Sequence, residues 1–211
     1  PFYIADETKK TLHEVYKYWK GKTTSDLATS YMAPEALLAI EHNMFTPGNY
    51  FYNGVGHVTV CYGRIAQEGL ESIQAQAAEA LSKVNFGDAD YAKRSHFLQA
   101  VIIACEAACV YAERYAELAR KEAEACSDPT RREELLKIAE NCARVPRHGA
   151  RSFYEACQSF WFIQMLLQME SSGHSISPGR FDQYMYPFFK ADLDKGLITR
   201  EFAQELMDCI W

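Results

Sequence analysis

The sequence has no charge-free apolar run of about 18 residues, and its start does not join a basic segment to an apolar one. The first pattern is typical of a helix that crosses a bilayer, and the second is typical of a secretory signal. Lysine and arginine are scattered and the net charge is -6, so no basic surface is predicted for a phosphate backbone or an anionic lipid. We therefore expect a cytoplasmic protein with no nucleic-acid partner and no membrane partner.

Internal repeats, low-complexity tracts and linkers are also absent from the 211 residues. With 48% hydrophobic and 24% charged residues, the composition is that of an ordinary globular protein that can bury a sizeable core. No composition shift marks a domain boundary, so we treat residues 1–211 as one region. The start at Pro1 and the helical pattern that still runs at Trp211 lead us to expect a segment of a longer chain.

The seven cysteines lie mostly among alanines and other apolar residues on helical pattern. This setting is typical of reduced, buried thiols. Cys105 and Cys109 are spaced so that they share one side of a helix, yet no second pair and no nearby histidine completes a four-ligand metal site. We therefore predict that these thiols pack in the core and that the chain has no metal site.

Apolar residues recur at helical spacing over most of the sequence. Helices are predicted at 8–19, 64–84, 91–126 and 153–169, the last capped by Ser152. Others are a short helix capped by Thr24 or Ser25, a helix beginning at Pro34, and a helix opened by Asp128 and Pro129. Two more are predicted within 181–211, the second capped by Thr199. A strand-like segment, Val58-Thr59-Val60, and a turn at 145–149 interrupt them. The prediction is therefore a mostly helical chain.

Two of these helices carry specific packing predictions. The long helix has an apolar stripe that we expect to face the core, consisting of Phe97, Val101, Ala104, Ala108, Tyr111, Tyr115 and Leu118. The helix over 153–169 is apolar around nearly its whole circumference. Such a helix is expected to be buried inside a larger body.

Two of the six histidines lie in glycine-rich turns. His57 follows Asn53-Gly54-Val55-Gly56, and His174 lies between Gly173 and Ser175 where the apolar helix stops. Turn-forming residues aim side chains, and small neighbours let a ligand approach closely. His57 and His174 are therefore candidate site residues, with simple hydrogen bonding of the rings to backbone carbonyls as the alternative.

Four charged residues near these segments have both a structural and a functional interpretation. Arg180 and Asp182 are close enough for an ion pair or for capping the helix near 181, and we expect that structural role. Arg64 and Arg147 have the chemistry to bind a carboxylate. Their expected alternative is a position on a helix end or on the surface.

Three segments of the sequence resemble the glycyl radical enzymes: 49–60 (NYFYNGVGHVTV), 150–162 (ARSFYEACQSFWF) and 173–186 (GHSISPGRFDQYMY). The resemblance covers the whole chain, and the combination of His57 with His174 and Ser175 is most similar to the cobalamin-independent glycerol and propane-1,2-diol dehydratases. It implies an α/β fold in which residues 1–211 are the mostly helical N-terminal portion of a ten-stranded β/α barrel, a partial pyruvate formate-lyase-like domain.

The resemblance also implies a reaction. In the family, a glycyl radical installed by a radical S-adenosylmethionine activase takes hydrogen from a cysteine, and the thiyl radical takes hydrogen from C1 of the diol. The C2 hydroxyl then leaves as water and an aldehyde forms. His57 would hydrogen-bond the departing hydroxyl and supply its proton, as a catalytic and substrate-binding residue. His174 and Ser175 would bind the other hydroxyls of a small polyol such as glycerol or propane-1,2-diol.

The sequence departs from the family pattern in its radical residues. The Cys-X-Glu tripeptide of the catalytic cysteine loop and the arginine-valine-X-glycine-tyrosine type segment of the glycyl radical are absent. No cysteine here inherits the thiyl role, so we expect residues 1–211 to bind no cofactor and to be inactive alone. The full-length protein is expected to be a carbon–oxygen lyase and a homodimer.

Two alternatives to a diol dehydratase stay open at this point. One is a glycyl radical enzyme of another specificity, such as a formate acetyltransferase, a hydroxyproline dehydratase or a carbon–nitrogen lyase. The other is a non-catalytic helical scaffold that uses the helix over 153–169 to bind a partner.

Overall fold

The computed structural model describes residues 3–48, 57–171 and 175–211. The helices within those ranges are α1 (Asp6–Trp19), α2 (Thr24–Ser30), α3 (Pro34–Glu41), α4 (Tyr62–Glu68), α5 (Leu70–Ser82), α6 (Tyr91–Ala125), α7 (Pro129–Arg144), α8 (Phe153–Glu170), α9 (Phe181–Asp194) and α10 (Arg200–Ile210). The chain divides into two compact units, Pro1–His57 with Glu170–Ser175, and Val58–Met169 with Ile176–Trp211. The mostly helical prediction is confirmed, and the described residues contain no strand of a barrel.

The first unit contains α1, α2 and α3. The N-terminus of α2 is closed by a reciprocal pair, in which Asp26 N donates to Thr23 Oγ1 and Thr23 N donates to Asp26 Oδ2, both at 3.0 Å. The cap predicted at Thr24 or Ser25 is therefore wrong, because only Thr23 has an acidic partner three residues later. Pro34 occupies the first turn of α3, as predicted.

The core of the second unit surrounds α8. One face of this helix is buried, through Phe153, Ala156, Cys157, Phe160 and Ile163. The predicted cap is confirmed, since Glu155 N donates to Ser152 Oγ at 3.1 Å, and a buried carboxylate of α9 adds a second cap through Phe153 N to Asp192 Oδ2 at 2.7 Å. Within residues 1–211, Trp161 and Met169 of this helix are exposed, so its expected burial inside a larger body stays a prediction.

Helix α6 faces the core with small residues. The predicted stripe is wrong at Phe97, Ala104, Tyr115 and Leu118, all of which are exposed. The buried side chains of the helix are Ser95, Cys105, Cys109, Ala112, Ala116, Ala119 and Ala123. Small side chains let α6 approach α7 closely, whereas the large residues of the predicted stripe would hold the two helices apart.

Among the described residues, α6 is also the helix that is long and apolar enough to cross a membrane by length and composition. Its acidic side chains Glu106 and Glu113 each pair with Arg147 at 2.9 Å. Its small-residue face packs against α7. These contacts assign α6 to the helical bundle of the second unit.

All seven cysteines are free thiols. Cys105, Cys109, Cys142 and Cys157 are buried as predicted, whereas Cys61 and Cys209 are exposed. Burial raises the pKa of Cys109 and Cys142 to about 11 and that of Cys157 to about 12, so these side chains stay protonated at neutral pH. Within 3–48, 57–171 and 175–211, no three His, Cys, Asp or Glu side chains are grouped to hold a metal ion.

The helix predicted over 64–84 is two helices that meet at Gly69. Gly69 has φ +77°, and a Cβ there would clash with the carbonyl oxygen of Arg147. The turn at 145–149 lies against this junction, because Leu70 N donates to Pro146 O at 2.9 Å and Glu71 N to Arg147 O at 3.0 Å. The apolar spacing continues through the break, so the sequence pattern does not reveal it.

We expect Gly69→Ala to destabilise the protein more than Gly196→Ala. Both glycines have positive φ, which costs an alanine about 1 to 2 kcal/mol. Only Gly69 lacks room for a methyl group, whereas nothing lies within 4 Å of a Cβ at Gly196, so Gly69→Ala should lose about 1 to 3 kcal/mol more. Urea denaturation measures both free energies of unfolding, and equal losses would contradict the close approach of the turn.

A buried carboxylate joins α7 to α8. Glu155 is 1% exposed and accepts hydrogen bonds from Arg151 N at 2.6 Å and Arg151 Nη2 at 2.7 Å. Arg144 Nε lies 3.5 Å from the same carboxylate and donates to Gly149 O at 3.0 Å. The ion pair therefore sets the path of the chain between the two helices.

We expect Glu155→Ala to lower the free energy of unfolding by about 2 kcal/mol or more, because it removes the buried acceptor of Arg151 N and of the Arg151 guanidinium. Glu140→Ala is the matched control. Glu140 pairs with Lys137 and Arg151 but its side chain is 54% exposed, so its loss should cost less than about 1 kcal/mol. Similar losses in the two variants, measured by urea denaturation, would show that Glu155 is not structurally important.

Candidate functional site

The segments 58–60 and 176–179 of the second unit lie side by side, and each directly follows a predicted site residue. Thr59 and Ser177 form a parallel β-bridge, and Ser177 N donates to Val58 O at 2.9 Å. We call the segments 57–60 and 175–179 the loop pair. The strand-like segment predicted from Val58-Thr59-Val60 is therefore present as this single bridge.

The register of the loop pair makes His57 and Ser175 equivalent residues, because each precedes a bridged residue by two positions. Both residues belong to the first unit, both are exposed, and the chain passes into the second unit directly after each of them. His174 lies outside the described residues, as do residues 49–56. Of the three predicted site residues, the structure therefore relates two to each other.

His57 and Ser175 also share an unusual backbone conformation. Their φ angles are +61° and +33°, in the left-handed region that side chains other than glycine rarely adopt. This conformation costs about 1 to 2 kcal/mol per residue. The surrounding structure must therefore hold both residues in place.

Close packing at the turn after Ser177 allows the two segments to pair. Gly179 has φ +67°, and a Cβ there would lie 2.6 Å from Thr59 Cγ2. Gly179 N donates to Ser177 Oγ at 3.2 Å, which closes the turn. A side chain at Gly179 would separate the bridged strands.

Three side chains from α4, α8 and α9 bond to the second segment of the loop pair or support it. Gln164 Nε2 donates to Ile176 O at 3.1 Å, and Tyr62 OH donates to Gln164 Oε1. Tyr184 OH donates to Pro178 O at 2.9 Å. The backbone beyond Ser175 is therefore bonded to the helical core at two carbonyls.

The two tyrosines remain hydrogen-bond donors at neutral pH. Burial raises the pKa of Tyr62 to about 12. Burial, followed by the nearby Tyr62, also raises the pKa of Tyr184. The Tyr62 ring packs 4.7 Å from the Phe160 ring, centroid to centroid, which ties the phenol to the buried face of α8.

The charged residues considered from the sequence have structural partners. Arg180 and Asp182 form the predicted ion pair at 2.9 Å, with both side chains exposed. Arg64 pairs with Glu68 at 3.2 Å, and Arg147 pairs with two acidic residues of α6. Neither Arg64 nor Arg147 is left to bind a substrate carboxylate.

The loop pair presents an imidazole and a hydroxyl, and both groups can donate and accept hydrogen bonds. A small molecule with several hydroxyls matches this chemistry. A groove of about 660 Å³ lies elsewhere in the second unit, with a lining that includes Tyr154, Asp192 and Phe202. Its lining contains no residue of the loop pair.

Sequence reasoning missed Tyr62, Gln164 and Tyr184. A signal for Gln164 does exist, because this amide stands between Ile163 and Met165 in a strongly apolar helix. A polar side chain in such a segment needs a partner. The partners come from α4 and from beyond α8, so the sequence alone does not identify them.

Comparisons with known proteins identify the family of the chain. The Pyruvate formate lyase-like family model matches residues 1–211. A solved structure concerned with 1,2-propanediol dehydration in Roseburia inulinivorans is 60% identical over 100% of this chain and 25% of that chain, with a TM-score of 0.86. The glycerol-bound, B12-independent glycerol dehydratase from Clostridium butyricum is 52% identical over 100% of this chain and 26% of its own, with a TM-score of 0.83.

A curated relative, the (2S)-3-sulfopropanediol dehydratase of Klebsiella oxytoca, is 39% identical over 98% of this chain and 25% of its own length. The chain thus spans about a quarter of each of these relatives. The match over residues 1–211 confirms what the segments 49–60, 150–162 and 173–186 predicted: the chain belongs to the pyruvate formate lyase-like family of glycyl radical enzymes.

Proposed function

We propose that the protein containing this chain is a diol dehydratase that eliminates water from propane-1,2-diol or glycerol to give an aldehyde. The observation that carries the proposal is the register of the loop pair, which gives His57 and Ser175 equivalent positions. Both residues are exposed. The similarity to structures concerned with 1,2-propanediol dehydration and with a glycerol dehydratase supports it. The lyase class follows from the dehydratases among the relatives.

In this proposal the chain binds the substrate hydroxyls and supplies a proton. The His57 imidazole hydrogen-bonds the C2 hydroxyl and donates the proton with which that hydroxyl leaves as water, since imidazole transfers protons readily near neutral pH. Ser175 and His174 hydrogen-bond the other hydroxyls. A site that pairs each hydroxyl rejects analogues that lack one.

The glycyl radical of the family supplies hydrogen abstraction from C1 by way of a cysteine thiyl. We assign no residue of this chain to that radical relay, because the sequence has no Cys-X-Glu tripeptide and no radical glycine motif. We therefore also propose that a radical S-adenosylmethionine activase is a partner of the protein. The full-length enzyme is proposed to be a cytoplasmic homodimer, and residues 1–211 alone are proposed to be inactive.

A substrate panel tests the proposed reaction. The full-length protein is activated anaerobically with a radical S-adenosylmethionine activase and offered propane-1,2-diol, glycerol, 3-sulfopropanediol, isethionate, hydroxyproline, choline, and pyruvate with coenzyme A. We expect an aldehyde from propane-1,2-diol or glycerol. Turnover of only an anionic or non-diol substrate would contradict the assignment.

We expect His57→Asn to lower kcat for the diol by about 100-fold or more, because it removes the proton donor of the elimination. Asparagine tolerates positive φ better than alanine does, so this variant limits the backbone penalty. His148→Asn is the matched control, since His148 lies in the 145–149 turn and its Nδ1 is 2.9 Å from Glu71. A His57→Asn enzyme as active as the control would sink the catalytic assignment.

We expect Ser175→Ala to raise KM for the diol about tenfold, because one hydrogen bond to the substrate is lost. Ser82→Ala is the control outside the loop pair, since the exposed Ser82 Oγ donates to Glu79 O at the end of α5. Steady-state kinetics of the activated enzyme measure both. An unchanged KM in Ser175→Ala would remove this residue from the site.

A further inference from the structure

We infer that Gln164, held by Tyr62, is a positioning residue that sets the register of the segments 58–60 and 176–179, which directly follow His57 and Ser175 in the chain. The inference rests on the proposed function for its catalytic consequence. It rests on the hydrogen bonds of α4, α8 and the loop pair for its geometry. It assigns a role to Gln164, a polar side chain in a strongly apolar helix.

The orientation of the Gln164 amide is determined by its partners. A backbone carbonyl can only accept, so the nitrogen of the amide must face Ile176 O, at 3.1 Å. The amide oxygen then faces the hydroxyl of Tyr62, which donates to it. Because burial keeps Tyr62 protonated, this donor is present across the neutral pH range.

The peptide group that Gln164 holds is the one that pairs the two segments. Ile176 C=O and Ser177 N–H belong to the same planar peptide unit. Its carbonyl accepts from Gln164 and its N–H donates to Val58 O, at 2.9 Å. Fixing one end of a rigid plane fixes the other, so Gln164 directly orients the hydrogen bond that defines the register.

One amide also connects both segments to the same point of α8. Tyr62 is the first residue of α4 and lies two positions after the end of the first segment. Ile176 directly follows Ser175 in the second segment. Gln164 contacts Tyr62 through its oxygen and Ile176 through its nitrogen. Tyr184, which donates to Pro178 O, holds the second segment only.

The test uses the activated full-length enzyme with two substitutions at one position. Gln164→Glu keeps an acceptor for Tyr62 but loses the donor to Ile176, and Gln164→Met loses both. The matched control is Gln74→Met. Gln74 is likewise part-buried on a helix, and its Nε2 donates to the backbone carbonyl of Ile102 at 3.2 Å, between α5 and α6.

We expect both Gln164 variants to lower kcat/KM for the diol about tenfold or more, the loss that one well-placed hydrogen bond produces. The loss should appear as a higher KM and a lower kcat together, since Ser175 binds substrate and His57 acts on the leaving hydroxyl. Gln74→Met should leave both constants unchanged. Kinetic constants equal to the control's would overturn the inference.

A double-mutant cycle separates positioning from a general structural role. If Gln164 acts through Ser175, Gln164→Met should cost much less in a Ser175→Ala background than in the native one. A purely structural residue would give additive losses in kcat/KM. Additive losses would therefore overturn the inference.

Hydrogen exchange gives a measurement that does not depend on turnover. In both Gln164 variants the amide of Ser177 should exchange faster than in the native enzyme, while it stays unchanged in Gln74→Met. Unchanged exchange at Ser177 would refute the positioning role for any substrate. Failure of the proposed function would give a different result from failure of the positioning role. His57→Asn and Ser175→Ala would then leave dehydration intact, whether or not exchange at Ser177 changes.

Discussion

Burial of one face of α8 is the interaction on which the other elements of the second unit depend. The Phe160 ring lies 4.7 Å from Tyr62 of α4 and 5.1 Å from Phe181 of α9, between centroids. The Tyr154 ring lies 5.8 Å from Phe202 of α10. Full burial of one such side chain contributes about 1.5 to 3 kcal/mol, so α8 supplies much of the driving force that collects these helices.

The polar side chains of α8 convert that packing into defined geometry. An apolar contact is non-directional, whereas a buried polar group must meet its partner at a set distance and angle. Glu155 near the N-terminal end meets Arg144 and Arg151, which directs the turn before the helix. Gln164 meets Tyr62 and Ile176 further along. Two side chains of one helix thus specify two loops that hydrophobic burial alone would leave variable.

The sequence predicts where the helices begin better than it predicts which face of each helix is buried. The predicted starts of α3, α7, α8 and α10 are confirmed because proline and capping side chains act locally. The core face of α6 was wrong because hydrophobicity favoured Phe97 and Tyr115, while the close approach of α7 selects small side chains such as Ala112. That selection depends on the neighbouring helix, which a single segment does not encode.

The candidate site shows the same division between local and non-local information. Turn-forming neighbours marked His57 and His174, and the family resemblance added Ser175. The structure places His57 and Ser175 in one register. The break at Gly69 and the bonds of Gln164 depend on residues far away in sequence, namely Arg147, Tyr62 and Ile176. Periodicity and composition carry no information about those contacts.

Positive φ angles occur at Asn43, which has a structural role, and at the two candidate site residues, His57 and Ser175. Asn43 directly follows the cap of α3, where Asn43 N donates to Ile40 O and Met44 N to Ala39 O, both at 2.9 Å. This is a Schellman motif, in which asparagine at positive φ is common. His57 and Ser175 lie outside the described helices, and glycine would adopt their conformation at lower cost.

An imidazole and a hydroxyl at such positions are expected where the side chains themselves have a role. Their backbone strain, about 1 to 2 kcal/mol each, would relax if the following residues could move. The peptide between Ile176 and Ser177 prevents this relaxation, because it is bonded to Gln164 on one side and to Val58 on the other. Strain at the site and rigidity behind it are therefore two parts of one arrangement, and the buried face of α8 supports both.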